Sequence, residues 1–139
     1  TGDARAAVAG QHLVVTTVPN GLERPFLDPA WLGAGAFVAA VDLGRSWLRS
    51  GWPDSTRLVT DEREQASELG REGQLVSAGP FVADLADIAA GRAAPPSDDE
   101  ACTLFAFSGH GVADLAGAIL IHEAARVLES RQPFDERSS

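Results

Sequence analysis

Short apolar runs alternate with amphipathic segments along this chain. Four runs rich in β-branched or aromatic residues predict buried strands, at 13–18 (LVVTTV), 36–42 (AFVAAVD), 56–61 (TRLVTD) and 102–107 (CTLFAF). Apolar residues at helical spacing predict helices at 81–91 and 111–129, and EREQASELG at 62–70 predicts a helix with acids in its first turn and Gly at its end. DPAWL at 28–32 predicts a short helix with Asp28 as its N-cap and Pro at its first position. This alternation predicts an α/β fold with a Rossmann-like parallel sheet, covered by helices on both faces.

The ends of these elements carry local signals. We expect Asp61 and Glu64 only to cap and solvate the start of the helix after RLVT, and a Gly at its end to stop it. The segment RAAPPSDDE at 92–100 reads as a loop, and the polar tail at 130–139 is expected to fray.

Composition narrows the class of protein. With 139 residues the chain has the size of about one domain. Its formal net charge of -9 disfavours nucleic acid as a partner, because a phosphate backbone requires clustered positive charge. A single Cys102 excludes a disulfide framework and a cysteine-built zinc site. No apolar stretch is long enough to cross a bilayer, so we expect a soluble, cytoplasmic protein without a membrane partner.

Two Gly-x-Gly turns raise the question of a dinucleotide phosphate loop. In FAFSGHGVADLAGA, the turn at Gly109 and Gly111 follows a strand, but Asp114 occupies the third glycine position of the fingerprint. The second turn, in GAGAFV, precedes a strand instead of following one. Neither is predicted to hold phosphates. Gly109 and Gly111 form either a simple tight turn or a turn whose low bulk lets a ligand approach the carboxyl end of the strand.

Three stretches resemble, in order and spacing, the cofactor domain of the ornithine cyclodeaminase and mu-crystallin family. They are HLVVTTVPNGLERPFLDPAWLGAGAFVAAV, TRLVTDEREQASELG and DIAAGRAAPPSDDEACTLFAFSGHGVADLAGA, within residues 11 to 125. Family members read roughly V-V-T-A-T-P-S, L-x-P-G-A-H-x-N-A-V-G-x-D, V-D-S-R-E-Q-A and F-K-S-x-G-x-A-x-x-D-L-A at the corresponding places.

The resemblance implies a Rossmann domain that binds NAD or NADP and serves amino acid metabolism. In full-length members a second domain binds the small amino or imino acid and forms the homodimer. The family's glycine-rich phosphate turn lies upstream of the segment that matches residue 1. We therefore expect residues 1–129 to be a partial dinucleotide-binding domain that lacks its first βαβ unit, followed by the tail at 130–139.

Site residues follow from the same resemblance. The cofactor-binding positions fall at Thr16, Thr17, Val18, Pro19, Val41, Ser108 and Gly109. The threonines have the alternative of being ordinary strand residues. His110 is a candidate proton donor or substrate contact because it lies in the late turn and His titrates near neutrality. No pair of histidines has zinc-binding spacing, so no metal is expected.

The catalytic position departs from the family. The family's catalytic Asp falls at Gly44, and Asp42, two residues earlier, replaces a glycine beside the nicotinamide. Asp42 could supply the missing carboxylate, or it could be a turn residue, a role that Asp favours. Three functions therefore stay open: an NAD(P)-dependent oxidoreductase or deaminase, a non-catalytic nucleotide-binding or assembly module, and a truncated product that needs a partner segment to cover its sheet edge.

Overall fold

The computed structural model describes residues 2–19, 21, 24–94, 102–109 and 111–131. The chain divides after Gly109 into two compact units, the first holding the sheet and the second the last helix. Each unit is described by itself.

The first unit is built on a five-stranded parallel sheet. Its strands are β1 (Leu13–Thr16), β2 (Phe37–Ala40), β3 (Arg57–Thr60), β4 (Ala83–Asp84) and β5 (Thr103–Ala106), in the spatial order β1-β2-β5-β3-β4. Every pairing is parallel, and the last residues of the strands form one row across the sheet: Thr16, Ala40, Ala106, Thr60 and Asp84. The segments that follow the strands therefore meet at one edge of the sheet, where open parallel sheets bind their ligands.

One helix precedes the first strand of this unit, and a 3₁₀ turn and two further helices lie in the connections between strands. They are α1 (Ala4–Val8), the 3₁₀ turn Pro29–Trp31, α2 (Arg63–Arg71) and α3 (Leu85–Ala89). The predicted cap at 28 is confirmed, since the Asp28 side chain accepts a hydrogen bond of 2.9 Å from the backbone N–H of Ala30. Glu62 caps α2 in the same way, accepting from the N–H groups of Glu64 and Gln65.

The core lies on one face of the sheet. Val14, Val38 and Leu104 are buried there and pack in one cluster with residues from the connections, among them Leu27, Trp47 and Leu75. The other side of β1 carries Leu13 and Val15, which are 63% and 56% exposed. The prediction of a fully buried strand at 13–18 was wrong for β1, because its burial alternates with the two-residue period of a strand that is covered on one face.

The segment 81–91 also differs from its prediction. It is not one helix: Ala83 and Asp84 pair with Val59 and Thr60 as β4, and only then does α3 begin. The Asp84 side chain accepts a hydrogen bond from the N–H of Asp87 and so starts the helix directly after the strand ends.

Two further boundaries were not predicted. Helix α1 has no counterpart in the sequence-based prediction. Helix α2 does not stop at Gly70 but continues through Arg71. Close packing explains why a glycine occupies position 70. A Cβ there would lie 2.3 Å from the Ser77 carbonyl oxygen and 2.4 Å from the α-carbon of Ala78.

The second unit is the helix α4 (Gly111–Arg131), close to the predicted range of 111–129. Residues 130 and 131 belong to this helix and not to a frayed tail, and residues 132–139 lie outside the described part of the chain. Its large exposed apolar side chains are Val112, Leu115, Ile119, Leu120, Ile121, Val127 and Leu128. Among the helices that the structure describes, none combines the length and the hydropathy that a membrane span requires.

Candidate functional site

A cavity of about 470 Å³ lies at the carboxyl ends of β1, β2 and β5. Three segments form it, each following one of these neighbouring strands: Thr17–Pro19, Val41–Arg45 and Phe107–Gly109. Its size falls within the usual range of small-molecule pockets. The lining residues are Thr17, Val18, Pro19, Val41, Asp42, Leu43, Arg45, Phe107, Ser108 and Gly109.

Seven of the nine sequence-predicted site residues line this cavity: Thr17, Val18, Pro19, Val41, Asp42, Ser108 and Gly109. Thr16 is buried one residue further back, at the end of β1, where its hydroxyl donates a hydrogen bond of 3.0 Å to Asp42 Oδ1. His110 lies outside the described residues. Parallel pairing brings residues near 17, 41 and 108 together although they are far apart in the chain.

Asp42 is held by donors on both carboxylate oxygens. Oδ1 accepts from the Thr16 hydroxyl and, at 3.1 Å, from the backbone N–H of Gly44, and Oδ2 accepts from the Ser46 hydroxyl. The residue is only 6% exposed. These contacts fix the turn after β2, so the carboxylate has a structural task whether or not it also meets a substrate.

The turn after Asp42 leaves no space for a side chain at position 44. Gly44 has a φ of +69°, and a Cβ there would lie 2.4 Å from both Cβ and Cγ1 of Val76. The preceding Leu43 also has a positive φ, 62°, which is uncommon for a residue with a branched side chain. A carboxylate at 44, where the family resemblance places its catalytic Asp, would require Val76 and this turn to move.

Asp61 does not cap α2, and this expectation was wrong. Its carboxylate accepts hydrogen bonds from the Ser108 N–H (2.8 Å), the Ser108 hydroxyl (2.7 Å) and the Gly109 N–H (2.9 Å), all beyond β5. Burial alone would raise the pKa of Asp61, but the hydrogen bonds from Ser108, together with one from Thr60, outweigh it and lower the pKa. The Ser108 hydroxyl proton points to Asp61, which leaves the oxygen lone pairs of Ser108 for a ligand.

Sequence reasoning missed three lining residues, Leu43, Arg45 and Phe107. All three follow within a few residues of a predicted strand end, so the rule that ligands bind at the carboxyl ends of parallel strands could have included them. Arg45 adds a guanidinium to the rim of a cavity in an acidic chain.

Other polar groups lie away from this cavity. Arg63 forms ion pairs with Asp84 and Asp87, and Arg92 pairs with Asp87. The hydrogen bond from Arg92 and the charge of Arg63 lower the pKa of Asp87. Burial raises the pKa of the Cys102 thiol to about 11. Within the described ranges, no group of three or more His, Cys, Asp or Glu side chains is placed to hold a metal ion.

The lining combines apolar surface, open backbone and two polar groups. Val18, Pro19, Val41 and Phe107 supply apolar surface of the kind that a flat ring packs against. Gly109 has a φ of +85°, and no atom of the described residues lies within 4 Å of the point where a Cβ would stand, which leaves space beside the backbone there. Ser108 adds a hydrogen-bonding oxygen and Arg45 a positive charge.

Comparison with known proteins agrees with this architecture. Residues 1–129 match the model of the ornithine cyclodeaminase/mu-crystallin family. The chain belongs to this family. The resemblance stated from the sequence motifs is therefore confirmed, and so is the Rossmann-like α/β fold class.

Individual relatives are considerably longer than this chain. An uncharacterized cyclodeaminase of Sinorhizobium fredii is 31% identical over 142 residues, which cover 96% of this chain and 42% of the relative. The crystal structure of CmnK superposes with a TM-score of 0.77 at 24% identity, covering 100% of this chain and 43% of CmnK. The Δ(1)-pyrroline-2-carboxylate reductase of Thermococcus litoralis, solved with NADH and L-proline, gives a TM-score of 0.63 at 24% identity, covering 91% of this chain and 41% of the reductase. The chain thus spans less than half the length of each of these proteins.

Proposed function

We propose that this chain forms the nicotinamide-binding part of an NAD(P)-dependent enzyme that acts on a small amino or imino acid. The observation that carries the proposal is the cavity at the carboxyl ends of β1, β2 and β5, which gathers seven of the nine residues singled out from the family resemblance. Family membership supports the same function. A further support is the reductase of similar fold that was solved with NADH and L-proline.

The residues of the cavity have separate tasks in this proposal. The apolar surface of Val18, Val41 and Phe107 packs against the nicotinamide ring and keeps water from one face of it. Ser108 accepts a hydrogen bond from the bound molecule, and Arg45 attracts a carboxylate or phosphate. The cofactor, when bound, supplies the hydride chemistry, and the protein supplies orientation.

The reaction that we favour is hydride transfer between the cofactor and the α-carbon of the amino or imino acid, with cyclodeamination as the related alternative. Gly44 carries no carboxylate, and a side chain there would meet Val76 unless Val76 and the turn moved. This argues against the family's Asp-dependent proton transfer at that position. In the intact protein we further propose a cytoplasmic homodimer, in keeping with the rest of the family.

Cofactor binding tests the proposal directly. We would titrate the full-length protein with NADH and with NADPH, and follow oxidation of the bound cofactor on adding Δ(1)-pyrroline-2-carboxylate and other small imino acids. Gly109→Asn places a side chain beside the cavity and should weaken cofactor binding about tenfold or more, a change of about 1.4 kcal/mol.

The matched control is Gly91→Asn. Gly91 also has a positive φ, +68°, and no atom within 4 Å of a Cβ, but it does not line the cavity. Its substitution carries the same backbone cost and should leave the affinity unchanged. Equal affinities in Gly109→Asn and Gly91→Asn would remove the cavity from cofactor binding.

A non-catalytic binding module is the second candidate function. Two observations favour it: position 44 carries no carboxylate, and both oxygens of Asp42 already accept hydrogen bonds from the protein. Cofactor binding with no turnover of any amino or imino acid, in either direction, would select this candidate.

A further inference from the structure

The turn after β5 is held by α2 and by the residues just before it, 44 to 48 positions earlier in the chain. The Asp61 carboxylate accepts hydrogen bonds from two backbone N–H groups, that of Ser108 at 2.8 Å and that of Gly109 at 2.9 Å. At the same turn, the Gln65 side-chain amide donates a hydrogen bond of 2.9 Å to the carbonyl oxygen of Gly109. Asp61 and Gln65 therefore bind both N–H groups of the turn and the carbonyl oxygen of Gly109.

The start of α2 explains why these two side chains lie together. The Glu62 side chain caps the helix by accepting a hydrogen bond from the backbone N–H of Gln65, and this bond fixes the first turn of the helix. Asp61 directly follows Thr60, which pairs with Ala106 in the sheet, and the Thr60 hydroxyl shares its single proton between the Ala106 carbonyl oxygen, at 2.8 Å, and Asp61 Oδ1, at 3.0 Å. Strand pairing thus sets the distance between Asp61 and the turn at 108–109.

Without these contacts the turn would have other conformations available. Gly109 has a φ of +85°, and glycine adopts many alternatives to this value because it has no side chain. Among the described residues, no atom lies within 4 Å of a Cβ at this position, so no side-chain contact at that point restricts it. The hydrogen bonds from outside the turn are the restraint that the structure shows.

We propose that Asp61 and Gln65 are positioning residues of the cavity: they hold the turn at 108–109 in the conformation in which Ser108 and Gly109 face the bound cofactor. This proposal rests on the proposed function. Asp61 acts through the turn and does not line the cavity itself. We expect this restraint to increase the affinity for the cofactor, because the turn is already ordered before the cofactor binds.

Asp61→Asn tests the proposal with little change of shape. Asn retains one oxygen, but its amide would place a donor against one of the N–H groups that the carboxylate now binds. In the full-length protein we expect NADH binding to weaken about tenfold or more, which corresponds to a loss of about 1.4 kcal/mol of binding free energy. Gln65→Ala, on a less buried contact, should weaken binding about threefold, and the double variant should show less than the product of both effects because they restrain one turn.

Glu64→Gln is the matched control. It removes the same charge from the same segment, at an exposed side chain that makes none of the hydrogen bonds to the turn described above. It should leave NADH affinity within about twofold of the wild type, since an exposed charge is screened by salt. Affinity is measured per folded molecule, by fluorescence titration together with circular dichroism, so that a loss of stability alone does not count.

Amide hydrogen exchange provides a readout that needs no ligand. The N–H groups of Ser108 and Gly109 should be protected in the wild type and lose protection in Asp61→Asn. Unchanged affinity in folded Asp61→Asn and Gln65→Ala would overturn the proposal. If Asp61→Asn does not fold, Gln65→Ala and the exchange data decide alone. If wild-type protein binds no NADH, the proposed function fails, and rapid exchange at 108 and 109 would show that the restraint is absent as well.

Discussion

Asp42 and Asp61 both follow the last residues of strands, and both carboxylates are buried under several hydrogen bonds. Asp42 is bonded within its own turn and to the end of β1, whereas Asp61 binds the turn after β5. A buried carboxylate is tolerated only when such donors replace water. The same residue type at two strand ends thus restrains the segments that line one cavity.

The contacts of Asp42 lead to a specific expectation for Asp42→Asn. Asn can still accept from the Thr16 hydroxyl and the Gly44 N–H, and the Ser46 hydroxyl can turn to accept from the new amide. We expect stability to fall by about 1 to 2 kcal/mol, the scale of a weakened buried hydrogen bond, and turnover to stay within a few-fold. Denaturant titration and steady-state kinetics of the full-length protein measure both quantities.

Asp54→Asn is the control for this variant, since Asp54 is an exposed carboxylate in the loop before β3. A drop in turnover of about 100-fold in Asp42→Asn, with cofactor affinity intact, would instead show that Asp42 has taken over the acid/base role that the family places at position 44. Asp42 as a catalytic group stays a prediction until that measurement.

The lowered pKa of Asp61 predicts a pH-dependent contribution to stability. A carboxyl group with a depressed pKa in the folded state stabilises the protein above its ordinary pKa near 4, and this contribution is lost as the pH falls through the folded-state pKa. We expect wild type to exceed Asp61→Asn by about 2 to 3 kcal/mol at neutral pH, the range for buried hydrogen bonds to a charge. The difference should shrink as the pH falls below about 4.

Denaturant titrations of both proteins across this pH range check the prediction. A residue that only caps a helix, as expected for Asp61 from the sequence, would contribute about 1 kcal/mol or less. A difference that stays below that value at neutral pH would mean that the bonds from Ser108 and Gly109 contribute little.

At the scale of elements, the sequence predicted what local patterns can encode. The four strands with apolar runs and the helices α2 and α4 lie where periodicity places them, within a few residues. The two-residue strand β4 could not be found, because its pattern depends on pairing with Val59 and Thr60 and not on its own composition. The contact between Asp61 and Ser108 spans 47 residues, and locally Asp61 has only the appearance of a helix cap.

A contact with a later segment of the chain also explains Gly70, which the sequence predicts as the end of a helix but which lies inside α2. We expect Gly70→Ala to destabilise the protein by about 1 to 3 kcal/mol, the scale of an overpacked site, although Ala favours helix. The added methyl group would meet the backbone of Ser77 and Ala78, which cannot move as freely as a side chain. Thermal or denaturant unfolding measures the change.

Gly117→Ala is the matched control, in the interior of α4 with no atom within 4 Å of a Cβ. There the propensity effect acts alone, and the helix should gain up to about 1 kcal/mol. If Gly70→Ala also stabilised the protein, the segment at 77–78 would not pack as closely as the structure indicates.

At the scale of the whole molecule, β1 is an outer strand of the sheet. It pairs with β2 on one side, and among the described residues no strand pairs with its other side. Leu13 and Val15 expose apolar side chains on one face of this outer strand. An unprotected edge of this kind favours pairing with another chain, so we expect the 139-residue chain by itself to self-associate.

Val15→Lys should suppress that association, because a charged side chain on an outer strand opposes edge pairing. Val82→Lys is the matched control: Val82 is 58% exposed against 56% for Val15, and it lies just before β4, at the far side of the sheet order. Sedimentation velocity over a range of protein concentrations compares the three chains. Equal suppression by both substitutions would show that association is not specific to the edge of β1, and a monomeric wild-type chain would show that this edge is protected in solution.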